Sequence, residues 1–413
     1  MKEQPALTAT VLCRMSNPRS LPGIVLLVLL SSSCALAQNT SVASLSGTVT
    51  DAERQPVPGV NVFIARSQRG TATDSEGRYR LDNIPLGVHR LVASIIGYET
   101  KVVDLHLRRA GEDKTVDFRM EEAVLELGQV TVESTEDVEW QRRYERFKQR
   151  FIGESPNAAE TEILNPFVLN FSERLGELRA EASEPLMIEN YALGYRIRYD
   201  LTDFEARSNY NFFHGEPLFE EMVPEDRAQA ALWQANRARA YAGSFRHALR
   251  SLLANNVEGE GFHLFLLPNQ GPGGGGVFGR SGGSLGGTNR FPTTPEEILK
   301  PREGGEEIDL EFHGILQIIY VGEPEDPSYL ESEWVSERRA LRDVQTSEWR
   351  FPIPEVSARL DRFGEEVDPR SITVSGYMTF DRLADDLPIE YGLAESGIPG
   401  AAEAIRAWAE EGL

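Results

Sequence analysis

The chain has 413 residues, of which 40% are hydrophobic and 9% aromatic, and its formal net charge is −23. This apolar fraction is enough to build folded cores, and the length favours two or three domains, so wholesale disorder is excluded. The acidic charge argues against a nucleic-acid binder, because attraction to phosphates needs an excess of Lys and Arg.

The first 37 residues have the pattern of an export signal. An uncharged stretch at 21–30 is too short to span a bilayer, and Ala35-Leu36-Ala37 follows it as a small-x-small cleavage pattern. We therefore predict a signal peptide over 1–37, cleaved after Ala37, and a protein exported to the periplasm or outer membrane. The alternative is a lipoprotein anchored through Cys34, although Ser31 is a poor residue three places before a lipidated cysteine.

Cys13 and Cys34 are the two cysteines of the sequence, and both lie within the predicted leader. A chain cleaved after Ala37 has no thiol, which excludes disulfides, thiolate zinc sites, iron–sulfur clusters and cysteine nucleophiles. No further run of 18 apolar residues follows the leader, so no membrane-spanning helix is predicted in the mature chain.

After a short linker at 38–44, residues 45–122 show the period-two hydrophobicity of short strands. Val60, Val62 and Ile64, for example, alternate with Asn61 and Phe63. Turn signals rich in Pro, Gly and Asp separate such runs. About seven short strands at this spacing predict a small β-sandwich.

Five motifs in this region resemble those of the carboxypeptidase regulatory-like domain, in the same order. They are Gly47–Asp51, Pro58–Val62, Thr73–Tyr79, Ile84–Gly87 and Ile96–Tyr98. The resemblance implies a prealbumin-like, seven-stranded fold that serves as a scaffold and supplies no catalytic group. In that family the module occurs beside metallocarboxypeptidase domains and ahead of the plug of TonB-dependent outer-membrane receptors.

The segment at 127–132 is similar to the strand that follows the module in those receptors, and it lies in a predicted connecting strand or linker at 123–136. The remaining residues, about 280 in number, are too few for the 22-stranded barrel of such transporters. The resemblance to the receptors is therefore expected without the barrel.

Metal chemistry has few candidates in the sequence. No His is followed three residues later by Glu, so the zinc motif of a metallocarboxypeptidase is not found. Asp74, Glu76 and Asp82 could form a calcium site on one loop. The favoured alternative is that Asp74 caps a turn and Gly77 supplies a positive φ.

A helix is predicted to start near Asp137, with an aromatic stripe on one face and basic residues around it. The stripe is Trp140, Tyr144, Phe147 and Phe151, and the basic residues are Arg142, Arg143, Arg146, Lys148 and Arg150. This helix could contact an anionic lipid or polysaccharide surface. We favour instead that the aromatics dock into the core of the following domain and that the arginines form a solvated flank. Gly153 is predicted to end the helix.

Residues 137–413 are predicted to form a larger α+β domain of unknown function. The predicted elements are one or two strands at 186–200 around Gly194, helices at 225–255 with a break at Gly243, and strands at 308–321 and 372–380. Several segments, among them Ile188–Tyr195, are similar to segments of exported bacterial proteins that carry the same module. That similarity implies an architecture and no mechanism.

The Gly-rich stretch at 269–290 is predicted to be a flexible surface loop. Gly279–Gly283 and Gly282–Gly286 match the nucleophile-elbow pattern, and Gly271, Gly273 and Gly276 match a dinucleotide-binding pattern. Both patterns need a strand before them and a helix after them, and neither is predicted here. We therefore assign them no function.

Acid-rich stretches at 306–307, 323–326 and 365–366 could hold a metal or act as paired carboxylates on sugars, although solvated loops explain them as well. Four aromatic residues could stack on sugar rings, and burial in a core is favoured for most of them. They are Tyr210, Phe212, Phe213 and Trp233.

The sequence thus favours a non-catalytic exported envelope protein that binds or scaffolds another envelope component, a protein or a polysaccharide, through the sandwich. The alternatives are a carbohydrate-binding protein and a hydrolase whose carboxylates are dispersed along the sequence. No catalytic, cofactor-binding or metal-binding residue is assigned, and the ligand and oligomeric state stay open.

Overall fold

The computed structural model describes residues 42–123, 138–208, 210–268, 290–302, 307–335, 339–352, 357–361 and 363–392. The predicted signal peptide, both cysteines, most of the connecting segment at 123–136, nearly all of the Gly-rich stretch and Glu306 lie outside the described residues. All described residues belong to one compact unit that begins at Thr40. The predicted domain boundaries within this unit stay predictions.

The N-terminal strands form the predicted β-sandwich. They are β1 (Val42–Thr50), β2 (Asn61–Ile64), β3 (Gly70–Ala72), β4 (Arg78–Pro85), β5 (Gly87–Ser94), β6 (Lys101–Leu107), β7 (Asp113–Thr115) and β8 (Phe118–Arg119). One sheet has the order β4-β1-β7 with β8 also on β1, and the other has the order β3-β2-β5-β6. Inward-facing residues of both sheets, such as Leu45, Val62 and Leu91, share one core.

The predicted count of seven strands is not confirmed as such, since eight strand segments are present in this described region. β7 and β8 both pair in parallel with β1, at Ser44–Ser46 and at Val49–Thr50. They are therefore consecutive pieces of one interrupted edge of the sheet.

Helix α1 (Val138–Phe151) docks through its aromatic stripe, as predicted. Phe147 and Phe151 are fully buried and their rings lie 4.9 Å apart, and Phe151 meets Tyr199 edge-on at 5.0 Å. Gly153 follows with a φ of 109°. The expectation of a wholly solvated arginine flank is wrong for Arg150, which is only 3% exposed.

The next strands build one long sheet. They are β9 (Thr161–Ile163), β10 (Leu169–Arg174), β11 (Glu177–Ala182), β12 (Leu186–Asn190), β13 (Tyr195–Arg207) and β14 (Tyr210–Glu221). β12 and β11 pair with successive parts of β13, and β14 pairs with β13 along nearly its whole length. Of the one or two strands predicted around Gly194, the structure has two, and Gly194 is the last residue of the turn between β12 and β13.

Two helices, α2 (Arg227–Tyr241) and α3 (Phe245–Leu253), follow the sheet with Gly243 between them, as predicted. Asp226 and Ser244 cap their N-termini by accepting hydrogen bonds from Gln229 N and His247 N. α3 is almost entirely buried, and Leu249, Leu252 and other residues of it pack in the core of the last sheets.

The remaining elements are β15 (Phe262–Leu267), β16 (Phe291–Pro292), α4 (Pro295–Ile298), β17 (Leu299–Pro301), β18 (Glu307–Glu311), β19 (Ile315–Tyr320), α5 (Pro327–Glu331), β20 (Gln345–Arg350), β21 (Ser357–Asp361) and β22 (Thr373–Gly376). They form a five-stranded sheet, β16-β15-β19-β20-β22, and a three-stranded sheet, β17-β18-β21. The strand predicted at 372–380 stops at Gly376, where a 3₁₀ turn over Tyr377–Thr379 begins.

The part of the chain that the structure describes is thus rich in β-sheet, with five α-helices. Within it, no helix is long and apolar enough to cross a membrane.

Candidate functional site

The outward face of one sandwich sheet is covered by the long sheet. Phe63 and Val92, which point away from the sandwich core, are fully buried and pack with Ala65 against Leu218 of β14. An apolar side chain at an outward strand position is stable only when another surface covers it. We call this contact region, together with the polar groups around it, the seam.

Backbone hydrogen bonds extend the seam. The loop between β2 and β3 runs alongside β14, with Ser67 and Leu218 in a parallel bridge. Arg66 N donates to Pro217 O at 2.6 Å, and Phe219 N donates to Ser67 O at 2.9 Å. Ile389 N in turn donates to Arg66 O at 2.8 Å. The loop therefore continues the long sheet beyond β14.

A partly buried ion triad lies at one end of the seam. Glu365 accepts hydrogen bonds from Arg66 of the sandwich loop and from Arg246 of α3. Arg246 Nη2 also lies 3.3 Å from Asp386 Oδ1. Burial alone would raise the pKa of Glu365, but Arg246 and Arg66 hold it down to about 2. Glu365 is thus a carboxylate at any physiological pH and links three segments of the chain.

A second charged group crosses the middle of the seam. Arg90 of β5 lies 2.8 Å from Glu216 and donates to His214 Nε2 at 3.1 Å. Because a guanidinium has no acceptor atom, the imidazole nitrogen must accept here. Burial, with Arg66 and Arg90 nearby, lowers the pKa of His214 to about 4. His214 is therefore neutral at pH 7.

The third polar contact joins Asp200 of β13 to the end of β5. Asp200 accepts from Ser94 and, at 3.2 Å, from Thr100. Arg198 donates to Ser94 Oγ at 2.9 Å and to Asp200 Oδ2 at 3.3 Å. Buried polar groups arranged in this way specify one orientation of the packed surfaces, because a shifted sandwich would leave them unpaired.

Charges in the seam are thus matched with partners from the opposite side. The carboxylates of the seam accept hydrogen bonds from arginines and hydroxyls. They therefore anchor the two packed surfaces to each other and are not free to act as a nucleophile or a base. This arrangement fixes the sandwich rigidly on the long sheet.

Of the alternatives left open for the acids at 365–366, a solvated loop does not hold, because both acids are only partly exposed and are hydrogen-bonded within the protein. Glu366 accepts from Ser371 Oγ at 2.9 Å and from Ile372 N at 3.0 Å, and burial raises its pKa to about 7. Asp361 accepts from Phe363 N at 2.8 Å and from Glu365 N at 2.9 Å, and burial raises its pKa to about 7. These carboxyls brace one loop of the chain.

Residues of the other two predicted acid-rich stretches also form ion pairs or hydrogen bonds. Glu325 is buried and binds Arg339, which corrects the expectation of a solvated loop at that residue, and Asp326 caps α5 through Ser328 N at 2.8 Å. Glu307 lies 3.4 Å from Arg359. In the ranges that the structure describes, no three His, Cys, Asp or Glu side chains converge into a metal-binding group.

Sequence reasoning missed the acid pair Asp381 and Asp385. Burial raises the pKa of both, to about 6 for Asp385. The nearby charge of Asp385 raises the pKa of Asp381 further, and that of Asp326 raises the pKa of Asp385. Asp385 Oδ1 accepts from Ser155 Oγ at 3.0 Å and from Asn157 Nδ2 at 2.8 Å. Asp385 thus links the segment near the end of the described chain to the turn after α1.

The favoured interpretation of the Asp74 loop is confirmed. Asp74 accepts from Glu76 N at 3.0 Å and from Arg78 N at 2.8 Å, and Gly77 has a φ of 71°. Asp82 is engaged elsewhere, by Ser44 Oγ at 2.8 Å and by Arg80. Asp74 and Glu76 share the Arg78 guanidinium, whereas Asp82 pairs with Arg80, so the three acids are held by two different arginines.

Two of the four candidate aromatics lie in the core, as favoured. Phe213 meets Phe151 edge-on at 5.0 Å, and Trp233 is buried with its Nε1 donating to Tyr191 O at 2.7 Å. Phe212 is covered by the guanidinium of Arg370 at 3.7 Å. Tyr210 remains 36% exposed at the start of β14.

The opposite face of the sandwich, on sheet β4-β1-β7, is open and polar. Arg78, Arg80 and Asp82 of β4 are exposed there. Arg80 pairs with Asp82 at 2.9 Å and with Asp113 at 3.1 Å. We call this surface the free face.

Known proteins described here match part of this chain. A curated relative, TonB-dependent receptor P39 of Formosa agariphila, is 35% identical over 107 residues. This match covers 26% of the chain and spans only 10% of the receptor's length.

Solved structures with local similarity include three bacterial proteins. The major pilin subunit BcpA of Bacillus cereus is 12% identical, with 20% of this chain and 31% of that chain covered and a TM-score of 0.18. Catechol 1,2-dioxygenase of Acinetobacter sp. ADP1 is 14% identical, with 21% and 55% covered and a TM-score of 0.19. A type II cohesin–X-dockerin complex of Acetivibrio cellulolyticus is 17% identical, with 19% and 58% covered and a TM-score of 0.17. Scores this low transfer neither the fold of the whole chain nor a function.

A family model described as the CarboxypepD_reg-like domain matches residues 45–132. This match begins within β1 and includes all the later strands of the sandwich, and it agrees with the five sequence motifs. Residues 45–132 therefore carry a CarboxypepD_reg-like domain, and the resemblance predicted from the sequence is confirmed for this segment.

Proposed function

We propose that this chain is an exported envelope protein that has no catalytic role and binds another envelope component through the free face of its CarboxypepD_reg-like domain. The observation that carries the proposal is the family match over 45–132, supported by the similarity of 26% of the chain to a TonB-dependent receptor. A domain that supplies a binding surface and no reactive group fits a scaffold.

The seam supports the choice of surface. It covers one side of the sandwich with Leu218 and fixes its orientation through Glu365, Glu216 and Asp200. A partner that meets a fixed surface loses less conformational freedom than one that meets a swinging module, so orientation favours affinity. The free face, which carries alternating Arg and Asp side chains, is the side of the sandwich left for such a partner.

Export through the predicted signal peptide at 1–37 is part of the proposal. Mass spectrometry of the protein recovered from the cell envelope tests it. Cleavage after Ala37 gives an N-terminal Gln38, whereas the lipoprotein alternative gives a lipidated Cys34.

The binding proposal is tested by affinity capture from a solubilised envelope extract with the full mature chain as bait. Arg80→Glu reverses a charge in the middle of the free face, and we expect it to remove the captured component. Arg239→Glu is the matched control, because Arg239 is an exposed arginine on α2, away from the sandwich. Exposed ion pairs contribute little stability, so both variants should keep the wild-type melting temperature.

The proposal fails if wild type and Arg80→Glu capture the same components. It also fails if the pure chain hydrolyses glycan or peptide substrates and one carboxyl substitution abolishes that hydrolysis.

A further inference from the structure

A cleft of about 330 Å³ opens where the sandwich loop, the long sheet, α2 and residues 388–392 meet. Gln68 contributes the sandwich wall, Tyr195 and Glu221 the sheet wall, and Gln234 and Arg237 the helix wall. Glu390 closes the remaining side. This volume lies at the lower end of the range for small-molecule sites, which often occur where two domains meet.

Arg237, Glu221 and Glu390, the charged side chains that line this cleft, each have an oppositely charged partner. Arg237 Nη1 donates to Glu221 Oε1 at 2.6 Å, and its Nε donates to Leu193 O at 2.7 Å. Glu390 lies 3.4 Å from Arg69. An ionic ligand would therefore compete with an existing partner for either charge, and a neutral ligand is favoured.

Tyr195 is the buried polar side chain that points into the cleft. Its residue is only 3% exposed, the Arg237 guanidinium covers its ring at 4.1 Å, and Phe219 meets the ring edge-on at 5.7 Å. Burial raises the pKa of Tyr195 to about 12, so the phenol keeps its proton. Within the described ranges, its hydroxyl forms no hydrogen bond. The ring is buried while the hydroxyl lines the cleft, so this hydroxyl is available to a ligand there.

Two glutamines at the rim add uncharged hydrogen-bonding groups. The side chains of Gln68 and Gln234 are exposed, and among the described residues neither amide is held by another side chain. Each amide can both donate and accept. A ligand with several hydroxyls, each also able to donate and accept, matches this set, whereas an apolar ligand would leave the groups unpaired.

We propose that this cleft binds one sugar residue of an uncharged glycan, with the Tyr195 hydroxyl and the amides of Gln68 and Gln234 as its hydrogen-bonding partners. This site is separate from the free face and goes beyond the proposed partner binding. Because Gln68 comes from the sandwich, the seam holds the two walls of the cleft together.

Titration calorimetry of the full mature chain at pH 7 tests this site. The probes are the methyl glycosides of glucose, galactose, mannose and N-acetylglucosamine, with glucuronate and glucosamine as anionic and cationic counter-probes. We expect at least one neutral glycoside to bind, and both charged sugars to bind more weakly. Tyr195→Phe, which removes one hydroxyl, should weaken that binding about three- to tenfold, as expected for one hydrogen bond.

Gln234→Ala is a second variant at an exposed helix position and should weaken binding in the same direction without affecting folding. Tyr144→Phe removes a hydroxyl on α1, outside the cleft, and should leave the affinity unchanged. The proposal is overturned if no neutral glycoside binds, if glucuronate or glucosamine binds more tightly, or if Tyr195→Phe and Gln234→Ala both bind like wild type. Capture of an envelope component by the free face is measured separately, with Arg80→Glu. The two proposals can therefore fail independently of each other.

Discussion

Replacing Glu365 by Gln is expected to destabilise the protein by about 3 kcal/mol at pH 7. The reason is the ion triad, in which Arg246 and Arg66 lower the pKa of Glu365 from its usual 4.5 to about 2. Such a drop corresponds to about 3 kcal/mol of preference for the carboxylate in the folded protein. Loss of one partner from a buried ion pair commonly costs about 3–5 kcal/mol. The lower end applies, because the Arg66 side chain is 38% exposed and is partly rehydrated.

The pH dependence provides a second test of the same interaction. A carboxylate with a lowered folded pKa contributes its full stability above pH 4.5 and loses it as the pH falls towards 2. The difference between wild type and Glu365→Gln should therefore shrink to about half at pH 3. Urea unfolding, followed by circular dichroism at pH 7 and at pH 3, measures both differences.

Glu76→Gln is the matched control, since Glu76 pairs with Arg78 on the surface with 59% of its side chain exposed. It should unfold like wild type at both pH values. A Glu365→Gln variant as stable as this control at pH 7, or a deficit that does not shrink at pH 3, would refute the role of the triad.

Two further substitutions probe the body of the protein. Gly194→Ala should lower the free energy of unfolding by about 3 kcal/mol or more, because φ is +70° and the new Cβ would lie 2.2 Å from the Trp233 ring. Gly176→Ala, at a φ of +79° and with open space around the new Cβ, should lower it by about 1 kcal/mol. Thermal melting compares the two, and equal losses would contradict the steric argument. His214→Gln should weaken the acid sensitivity of folding, because a His whose pKa falls to about 4 loses about 3 kcal/mol of stability as the pH drops from 6.5 to 4. Urea midpoints at pH 7 and pH 4 measure it, and an unchanged decline would refute it.

Local patterns predicted the elements whose signals lie within a few residues. Examples are the aromatic stripe of α1, the turn at Asp74 and the break at Gly243. Each depends on neighbours in sequence, and the structure confirms each of them. Motif order also identified the CarboxypepD_reg-like domain.

The seam could not be predicted in the same way, because its partners are far apart in the sequence. Arg66 and Glu365 are separated by 299 positions, and Ser94 and Asp200 by 106. One local signal was present, namely Phe63 at an outward position of β2. Its burial against Leu218 shows that this outlier marked a covered surface.

Arg150 shows the opposite difficulty. Its place beside the aromatic stripe is compatible with a solvated flank, yet Glu333 and Trp334, about 180 residues later, enclose it. Helical spacing fixes which residues share a side of the helix, but it carries no information about what later segment covers the neighbouring side.

The bridge between Ser67 and Leu218 has a consequence for the protein's behaviour before it is fully folded. β14 is an edge strand of 12 residues that forms one border of the long sheet. An exposed edge strand of that length can pair with a strand of another molecule. The sandwich loop occupies part of this border in the folded chain. Variants that detach the N-terminal module would expose this border, and we expect them to self-associate.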